Sequence, residues 1–166
     1  MDVPTLVGDR ARLRPWSHDD ATWYVESRDE LVLAWTTESA STTAEEVRTA
    51  IAETAAADDV AAFAICDAAD RLVGNVAAVL DGRCADVSYF LAPDGRGRGL
   101  ASDAVGLVVD WLVGSGRVDL VSATVAVGNE ASQAVLRRCG FREMGEAMHP
   151  TLGASTRWEW SAAAQA

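Results

Sequence analysis

A short glycine-rich loop, Arg-Gly-Arg-Gly at residues 96–99, lies between a segment typical of a strand (residues 87–92) and one typical of a helix (residues 100–113). Glycine reaches backbone conformations that are closed to other residues, and the following helix directs its first, unpaired N–H groups back into the loop. Such a loop can cradle a phosphate or a pyrophosphate. The feature therefore predicts a strand–loop–helix unit that holds a phosphate compound.

Two familiar phosphate loops are excluded by the residues present. All 14 basic residues are Arg, so the Lys that a P-loop needs does not exist in this chain. The glycine spacing also differs from the GxGxxG pattern of a dinucleotide-binding loop. A nucleoside triphosphatase and a nicotinamide or flavin enzyme are both disfavoured.

Length, composition and charge indicate the number of domains, the class of partner and the location of the protein. With 166 residues, 49% of them hydrophobic, the chain fits one domain, residues 1–166. A net charge of -11 disfavours nucleic-acid and anionic membrane partners and favours cationic ones. The start of the chain lacks the apolar core of a signal peptide, and no stretch is long enough to cross a bilayer. We expect a soluble, cytoplasmic protein.

The cysteine pattern also agrees with a cytoplasmic location. Cys66, Cys84 and Cys139 are an odd number at wide spacing, without a CxxC pair, and only two His could help them to bind a metal. Reduced thiols and no metal site are expected.

Periodicity and capping patterns predict alternating strands and helices. Thr43 with Glu46 forms a capping-box pattern before an Ala-rich helix, and Gly140 is typical of a helix end. The predicted helices cover residues 21–27, 44–57, 100–113 and 129–138. The predicted strands cover residues 10–14, 60–66, 71–80, 84–92 and 118–127, with two short final strands at 143–148 and 155–160.

A second motif follows the loop at a fixed distance. Asn129-Glu130-Ala131-Ser132 opens the fourth predicted helix, which runs through Leu-Arg-Arg-Cys to Gly140-Phe141. Together with residues 96–101, which match the pattern Arg/Gln-x-x-Gly-x-Gly/Ala, this sequence resembles the GNAT superfamily of acyl-CoA-dependent N-acyltransferases. LRPWSHDDA near the start and LAPDGRGRGLASDAV in the middle are most similar to the RimJ/RimL-type branch, which includes acetyltransferases of ribosomal-protein N-termini.

The resemblance implies a fold and a cofactor site. The fold would be α/β (α+β), with a mixed, mostly antiparallel central sheet that splays between its fourth and fifth strands and about four flanking helices. Coenzyme A would place its pyrophosphate in the loop and its pantetheine arm along the fourth strand, where the backbone of Leu91 could hydrogen-bond the thioester carbonyl. The implied cofactor-binding residues are Leu91, Arg96, Gly97, Arg98, Gly99, Leu100, Ala101, Ser102 and Asn129.

Two residues are candidates for catalysis. An amine that attacks a thioester needs a base, and the departing thiolate needs a proton donor. Asp86 occupies the position at which this branch often carries Glu, although a strand-edge acid on the surface explains it equally well. Many members have a Tyr proton donor where this chain has Leu136. Ser132 is the substitute that the branch suggests, and simple helix packing is the alternative.

The expected activity is transfer of an acetyl group from acetyl-CoA to a primary amine, by direct attack in a ternary complex. The acceptor could be a protein N-terminus or a small molecule, and residues 10–60 should shape its pocket. Trp16, Trp23 and Trp35 lie in the region where this family builds its acceptor-binding wall, although core packing explains them at least as well. A longer donor such as succinyl-CoA is one alternative, and a non-catalytic CoA-binding sensor is another. The resemblance leaves a homodimer open, because dimers are frequent in this family.

Overall fold

One eight-stranded sheet organises the chain in the computed structural model, which describes residue 1 and residues 3–164. The strands lie in the order β1-β2-β3-β4-β5-β6-β8-β7, and all neighbours are antiparallel except β5 and β6. The strands are β1 (Leu6–Val7), β2 (Arg12–Pro15), β3 (Val60–Cys66), β4 (Leu72–Asp81), β5 (Cys84–Leu91), β6 (Leu120–Ala126), β7 (Arg142–His149) and β8 (Gly153–Ser161).

The sheet opens between β5 and β6. These strands pair over three positions only, from Cys84 with Leu120 to Asp86 with Ser122. Beyond Asp86 they separate, although β5 continues to Leu91 and β6 to Ala126. Since backbone groups along this gap have no neighbouring strand, they can pair with an extended ligand. The predicted splay is confirmed; the two-residue β1 only shifts the strand numbering by one.

Five α-helices surround the sheet in the described part of the chain, where about four were predicted. They are α1 (Ala21–Glu26), α2 (Glu30–Trp35), α3 (Ala44–Ala56), α4 (Leu100–Gly114) and α5 (Glu130–Arg138). The predicted capping box of Thr43 and Glu46 begins α3. The unexpected helix is α2, whose six residues are too few for a periodic pattern, and which begins where the Asp29 carboxylate accepts the N–H of Val32.

The core fixes the glycine-rich loop beside the gap. Helix α4 buries Leu100, Ala104, Val108 and Leu112 against the sheet, in the predicted helical period. Its first turn therefore lies next to the end of β5. Leu136, on α5, is also fully buried in this core.

The remaining predicted elements agree with the structure. Strands β3 and β4 form the predicted hairpin, and β7 and β8 complete the sheet as an antiparallel pair. Within residues 1 and 3–164, no helix combines the length and the apolar composition needed to span a membrane.

Candidate functional site

A cleft of about 720 Å³ occupies the gap between β5 and β6. Its walls come from these two strands, from the N-terminal turns of α4 and α5, and from α2. Of the residues predicted for the site, all but one line it: Asp86, Leu91, Arg96, Gly97, Gly99, Leu100, Ala101, Ser102, Asn129 and Ser132. Arg98 is the exception.

The glycine-rich loop presents an unbroken set of free N–H groups. Gly97 and Gly99 have φ angles of 72° and 76°, in the left-handed region that favours glycine. The first hydrogen bond of α4 runs from the N–H of Asp103 to the carbonyl of Gly99, at 3.1 Å. In the described structure no acceptor is found for the backbone N–H groups of residues 97–102. With the positive end of the helix dipole behind them, they form an anion site.

The two arginines of the loop are engaged in ion pairs. Arg96 donates two hydrogen bonds to Asp29, at 2.7 and 2.8 Å, and a third to the carbonyl of Leu91. Arg98 donates to Asp67, whose fully buried carboxylate also pairs with Arg71. Both side chains stabilise the loop from outside, so their predicted contact with phosphates stays a prediction.

A cation that is not among the site residues predicted from the sequence lies on the α5 wall of the cleft. Arg138 lines the cleft from α5, and no hydrogen bond or ion pair of its guanidinium is found within the described residues. Helical spacing would have indicated it, because Ser132, Val135 and Arg138 follow one another at three-residue steps and all line the cleft. The arrangement suits a phosphate group of a ligand.

Two further polar side chains are near the loop. The hydroxyl of Ser102 is buried and has no hydrogen-bond partner in the part of the chain that the structure describes, so it does not cap a helix. Asn129 caps α5, because its carbonyl oxygen accepts the N–H of Ser132 at 3.1 Å. Asn129 also lines the cleft.

The end of β5 offers a backbone donor to the gap. The N–H of Ala92 donates to the carbonyl of Val73, on the β4 side. Successive N–H groups of a strand point to opposite edges, so the N–H of Leu91 is directed to the open side. The carbonyl of Leu91 lies on that same edge, where it accepts from Arg96 at 3.1 Å.

Asp86 stands at the point where β5 and β6 separate. Its carboxylate accepts a hydrogen bond from the hydroxyl of Ser122 at 3.1 Å and is otherwise open to the cleft. Desolvation by the surrounding walls raises the pKa of Asp86 above its ordinary value, against the Ser122 hydrogen bond and the charges of Arg157 and His149. A carboxylate whose pKa is raised in this way has the properties of a general base.

His149, at the end of β7, also lines the cleft. Its Nδ1 accepts the N–H groups of Thr151 and Leu152, at 3.1 and 3.2 Å. With Nδ1 held as an acceptor, Nε2 is the ring nitrogen left to donate a hydrogen bond. The electrostatic effect of His149 on the pKa of Asp86 places the imidazole near that carboxylate.

A pair of hydroxyls also lines the cleft. The Oη of Tyr89, on β5, and the Oγ of Ser132, on α5, are 2.7 Å apart, and both residues line the cleft. Tyr89 also donates to the backbone carbonyl of Ser132 at 3.1 Å. Burial raises the pKa of Tyr89 well above its ordinary value, so this phenol keeps its proton. Leu136 is fully buried and cannot take this role.

A second cavity, of about 530 Å³, lies beneath α3. It adjoins the cleft, because Glu38, Asn75 and Ser88 line both. Trp16 and Tyr24 contribute to its wall, with their rings 5.3 Å apart, and the Nε1 of Trp16 donates to Asn75 at 3.1 Å.

The three tryptophans predicted for the acceptor region do not form one wall. Trp16 and Trp23 have ring centroids 6.3 Å apart, whereas Trp35 lines the cleft from α2. Cys139 lies outside both cavities, its thiol donating to the carbonyl of Ser102, and burial raises its pKa to about 11. No group of three or more metal-binding side chains is found among residues 1 and 3–164.

Comparison with known proteins identifies this architecture. The family described as acetyltransferase (GNAT) domain matches residues 10–142. A comparison of the sequence with curated proteins returns no match. Among solved structures, RimJ from Mycobacterium smegmatis, in complex with CoA-disulfide, superposes with a TM-score of 0.86 at 22% identity, over 96% of this chain and 88% of that one.

Two other structures have the same fold. The ribosomal-protein-S5-alanine acetyltransferase from Vibrio fischeri superposes with a TM-score of 0.82 at 19% identity, over 96% of this chain and 97% of that one. Spermidine N-acetyltransferase from Vibrio cholerae, in complex with CoA and spermine, gives 0.81 at 18% identity, over 92% and 96% of the two chains. With the family match over most of its length, this chain belongs to the GNAT acetyltransferases, a family of acyl-CoA-dependent N-acyltransferases.

Proposed function

We propose that the protein transfers an acetyl group from acetyl-CoA to a primary amine, with donor and acceptor bound together. The observation that carries this proposal is the composition of one cleft. It joins a loop of free N–H groups, a carboxylate of raised pKa at Asp86 and the hydroxyl pair of Tyr89 and Ser132. These are an anion site, a base and a donor for a leaving group, which acyl transfer from a thioester requires.

The donor is held mainly by the backbone. The N–H groups of residues 97–102 would bind the pyrophosphate of coenzyme A, and Arg138 would add a charge-assisted contact to a phosphate. The open edge of β5 would receive the pantetheine arm, so that the N–H of Leu91 meets the thioester carbonyl. Ser102 and Asn129, which line the same wall, would supply further donors.

The chemistry then follows from the positions of Asp86 and Ser132. The amine nitrogen attacks the carbonyl carbon, a C–N bond forms, and the C–S bond breaks with its electron pair on sulfur. Asp86 takes the proton that the amine loses, directly or through water, and the N–H of Leu91 stabilises the oxyanion. Ser132 donates a hydrogen bond to the departing thiolate, which takes a proton from water and leaves as the thiol of coenzyme A, while Asp86 returns its proton to water. Tyr89 orients the Ser132 hydroxyl.

The alternative of a CoA-binding domain without catalysis rests on Leu136, which replaces the usual Tyr donor. The contact between Tyr89 and Ser132 argues against it, because this hydroxyl pair lies in the cleft and can replace the missing Tyr donor. Donors longer than acetyl-CoA remain to be compared by experiment, with succinyl-CoA as the test compound.

Calorimetry with coenzyme A and thiol release from acetyl-CoA and succinyl-CoA test the proposal together. We expect coenzyme A to bind, and an amine to accelerate thiol release from acetyl-CoA more than from succinyl-CoA. Binding without amine-dependent thiol release, peptide N-termini included, would favour the sensor. Faster release from succinyl-CoA would reassign the donor.

A further inference from the structure

The second cavity has a composition that selects the acceptor. We infer that it holds the apolar body of an amine that carries a single ammonium group. The nitrogen would lie at the neck, which is the boundary with the cleft that Glu38, Asn75 and Ser88 line. The inference rests on the proposed function and concerns the acceptor alone. It separates this chain from enzymes whose acceptors are polyamines.

The floor of the cavity is a row of small side chains across three strands. Ala62 on β3 pairs with Ala77 on β4, which pairs with Ser88 on β5. All three line the cavity, and their small size leaves the space between the sheet and α3 unfilled. Ser88 also lines the cleft, and Asp86 lies two residues before it on the same face of β5. A ligand on this floor would therefore end beside Asp86.

The roof of the cavity is mostly apolar, with Glu46 and Thr54 as its polar residues on α3. Helix α3 contributes Val47, Ala50 and Ile51, spaced so that they lie on one face of the helix. Trp16 closes one side, with its indole fixed by the hydrogen bond to Asn75. An alkyl or aromatic group placed here would be removed from water, at roughly 25 cal/mol per Å² of apolar surface buried.

The two carboxylates of the cavity are already engaged by the chain itself. Glu38 accepts from the hydroxyl of Tyr24 at 2.7 Å and from the buried guanidinium of Arg28 at 3.1 Å. Glu46 accepts from the backbone N–H and the hydroxyl of Thr43, at 2.7 and 2.9 Å, as the cap of α3.

A polyamine needs carboxylates at the spacing of its nitrogens, each with an unpaired charge. In this cavity Arg28 balances the charge of Glu38, and the other lining carboxylate among the described residues, Glu46, is hydrogen-bonded to Thr43 at the exposed start of α3. The cavity therefore does not present two unpaired carboxylates to a polyamine. Asp86, whose one side-chain hydrogen bond within the described residues comes from Ser122, is the acidic group in the cleft that an incoming ammonium can meet. One charge at the neck and an apolar chamber behind it match an amine with one cationic and one apolar end.

Two sources could supply this chemistry. One is a free alkyl or arylalkyl amine, and the other is a peptide N-terminus whose first side chain is large and apolar. Both would place the apolar group beneath α3 and the nitrogen near Asp86. Phenethylamine, and peptides that begin with Leu or with Gly, separate the two sources.

The first measurement is calorimetric binding of amines to the protein saturated with coenzyme A, which cannot react. We expect phenethylamine or the Leu peptide to bind at least about tenfold more tightly than methylamine and spermidine, since a few methylene groups in an apolar pocket supply such a factor. Equal or tighter binding of spermidine would overturn the inference, and so would binding of none of these amines. Because this readout needs no turnover, it is independent of the proposed function.

Filling the cavity is the second measurement. Ala77→Ile fills the cavity from its floor with a side chain that suits a strand. If this variant does not fold, Ala50→Leu fills the cavity from its roof instead. Ala52→Leu, on α3 but outside the cavity, is the matched control. We expect the filling variant to weaken phenethylamine binding by about tenfold or more, with methylamine, coenzyme A and the control unchanged. Unchanged phenethylamine binding in the filled variant would overturn the assignment.

Discussion

The guanidinium of Arg96 forms two hydrogen bonds to the carboxylate of Asp29, and these bonds lower the pKa of Asp29 to about 2. Asp29 is also the N-cap of α2, through the N–H of Val32. The first arginine of the phosphate loop thus fastens the helix that covers the cleft. Its charge is balanced by Asp29, whereas the charge of Arg138 is not balanced by any contact found in the described residues.

Arg138 should therefore matter more than Arg96 for binding of coenzyme A. We expect Arg138→Ala to weaken binding by about tenfold or more, since a charge-assisted hydrogen bond contributes about 1.5–3 kcal/mol. Arg137→Ala, on the neighbouring exposed position of α5, is the control and should change the Kd little. Calorimetry measures both. A larger loss in Arg96→Ala than in Arg138→Ala would reverse this order.

The role of Asp29 in folding can be separated from its ion pair. Asn is as good an N-cap as Asp, so Asp29→Asn removes the charge pair with Arg96 but keeps the cap. Asp29→Ala removes both and should lower the free energy of unfolding by about 1 kcal/mol. Urea unfolding gives these values. Equal stability of the wild type and Asp29→Ala would contradict the capping role.

Asp86→Asn should lower turnover by about a hundredfold or more if Asp86 is the base. With a weakly basic amine as acceptor, the wild-type rate should rise as Asp86 ionises, over a pH range above its ordinary pKa of 3.8. The variant should lack this rise. A pH–rate profile that is the same in both proteins would exclude Asp86 as the base.

The same substitution makes an opposite prediction for stability. The raised pKa of Asp86 means that the folded protein favours the protonated acid, so ionisation removes stability as the pH rises through that pKa. Asp86→Asn should therefore melt at an equal or higher temperature than the wild type at pH 7, and the difference should vanish at low pH. A variant that melts lower at pH 7 would mean that Asp86 serves the fold.

The contribution of Asp67 to stability should depend on pH in the opposite way from that of Asp86. Hydrogen bonds from Arg71, above all, hold the pKa of Asp67 well below 3.8, with further help from Arg98. Its contribution to stability is present above the unfolded pKa and is lost as the pH falls through the folded one. Asp67→Asn should lower Tm by several degrees at pH 7 and by less at pH 3. The exposed Asp70→Asn is the control and should change Tm little at either pH.

Tyr89 and Ser132 should act as one unit. Tyr89→Phe removes the 2.7 Å contact and should slow turnover about fivefold, the worth of a hydrogen bond of about 1 kcal/mol, with little change in KM. Ser132→Ala should slow it more. The double variant should be no slower than Ser132→Ala, and additive losses would show that the two hydroxyls act separately.

Parts of the site whose residues are close together in the sequence could be predicted, and parts that join distant residues could not. The phosphate loop and its helix are local, so two glycines and an apolar period were enough to place them. The pair of Arg96 and Asp29 joins residues 67 positions apart, and nothing local announces it. Helix α2 is too short to display a period, and its cap, Asp29, reads as an ordinary acid in the sequence.

The acceptor side depends still more on long-range packing. Ala62, Ala77 and Ser88 become a floor only when three strands align in register. Glu38 looks like a free acid in the sequence, and its pairing with Arg28 appears only when residues 36–43 fold back on α1. The donor is thus recognisable from a motif, whereas the acceptor pocket arises from packing that no motif encodes.

Mass spectrometry of the acceptor, after incubation with isotopically labelled acetyl-CoA, tests the central claim most directly. We expect the label to appear on the amine nitrogen with the wild-type protein. We expect a much higher KM for acetyl-CoA with Gly99→Pro, because proline cannot adopt the positive φ of this position. Bound coenzyme A without label on any amine would contradict acetyl transfer in this cleft.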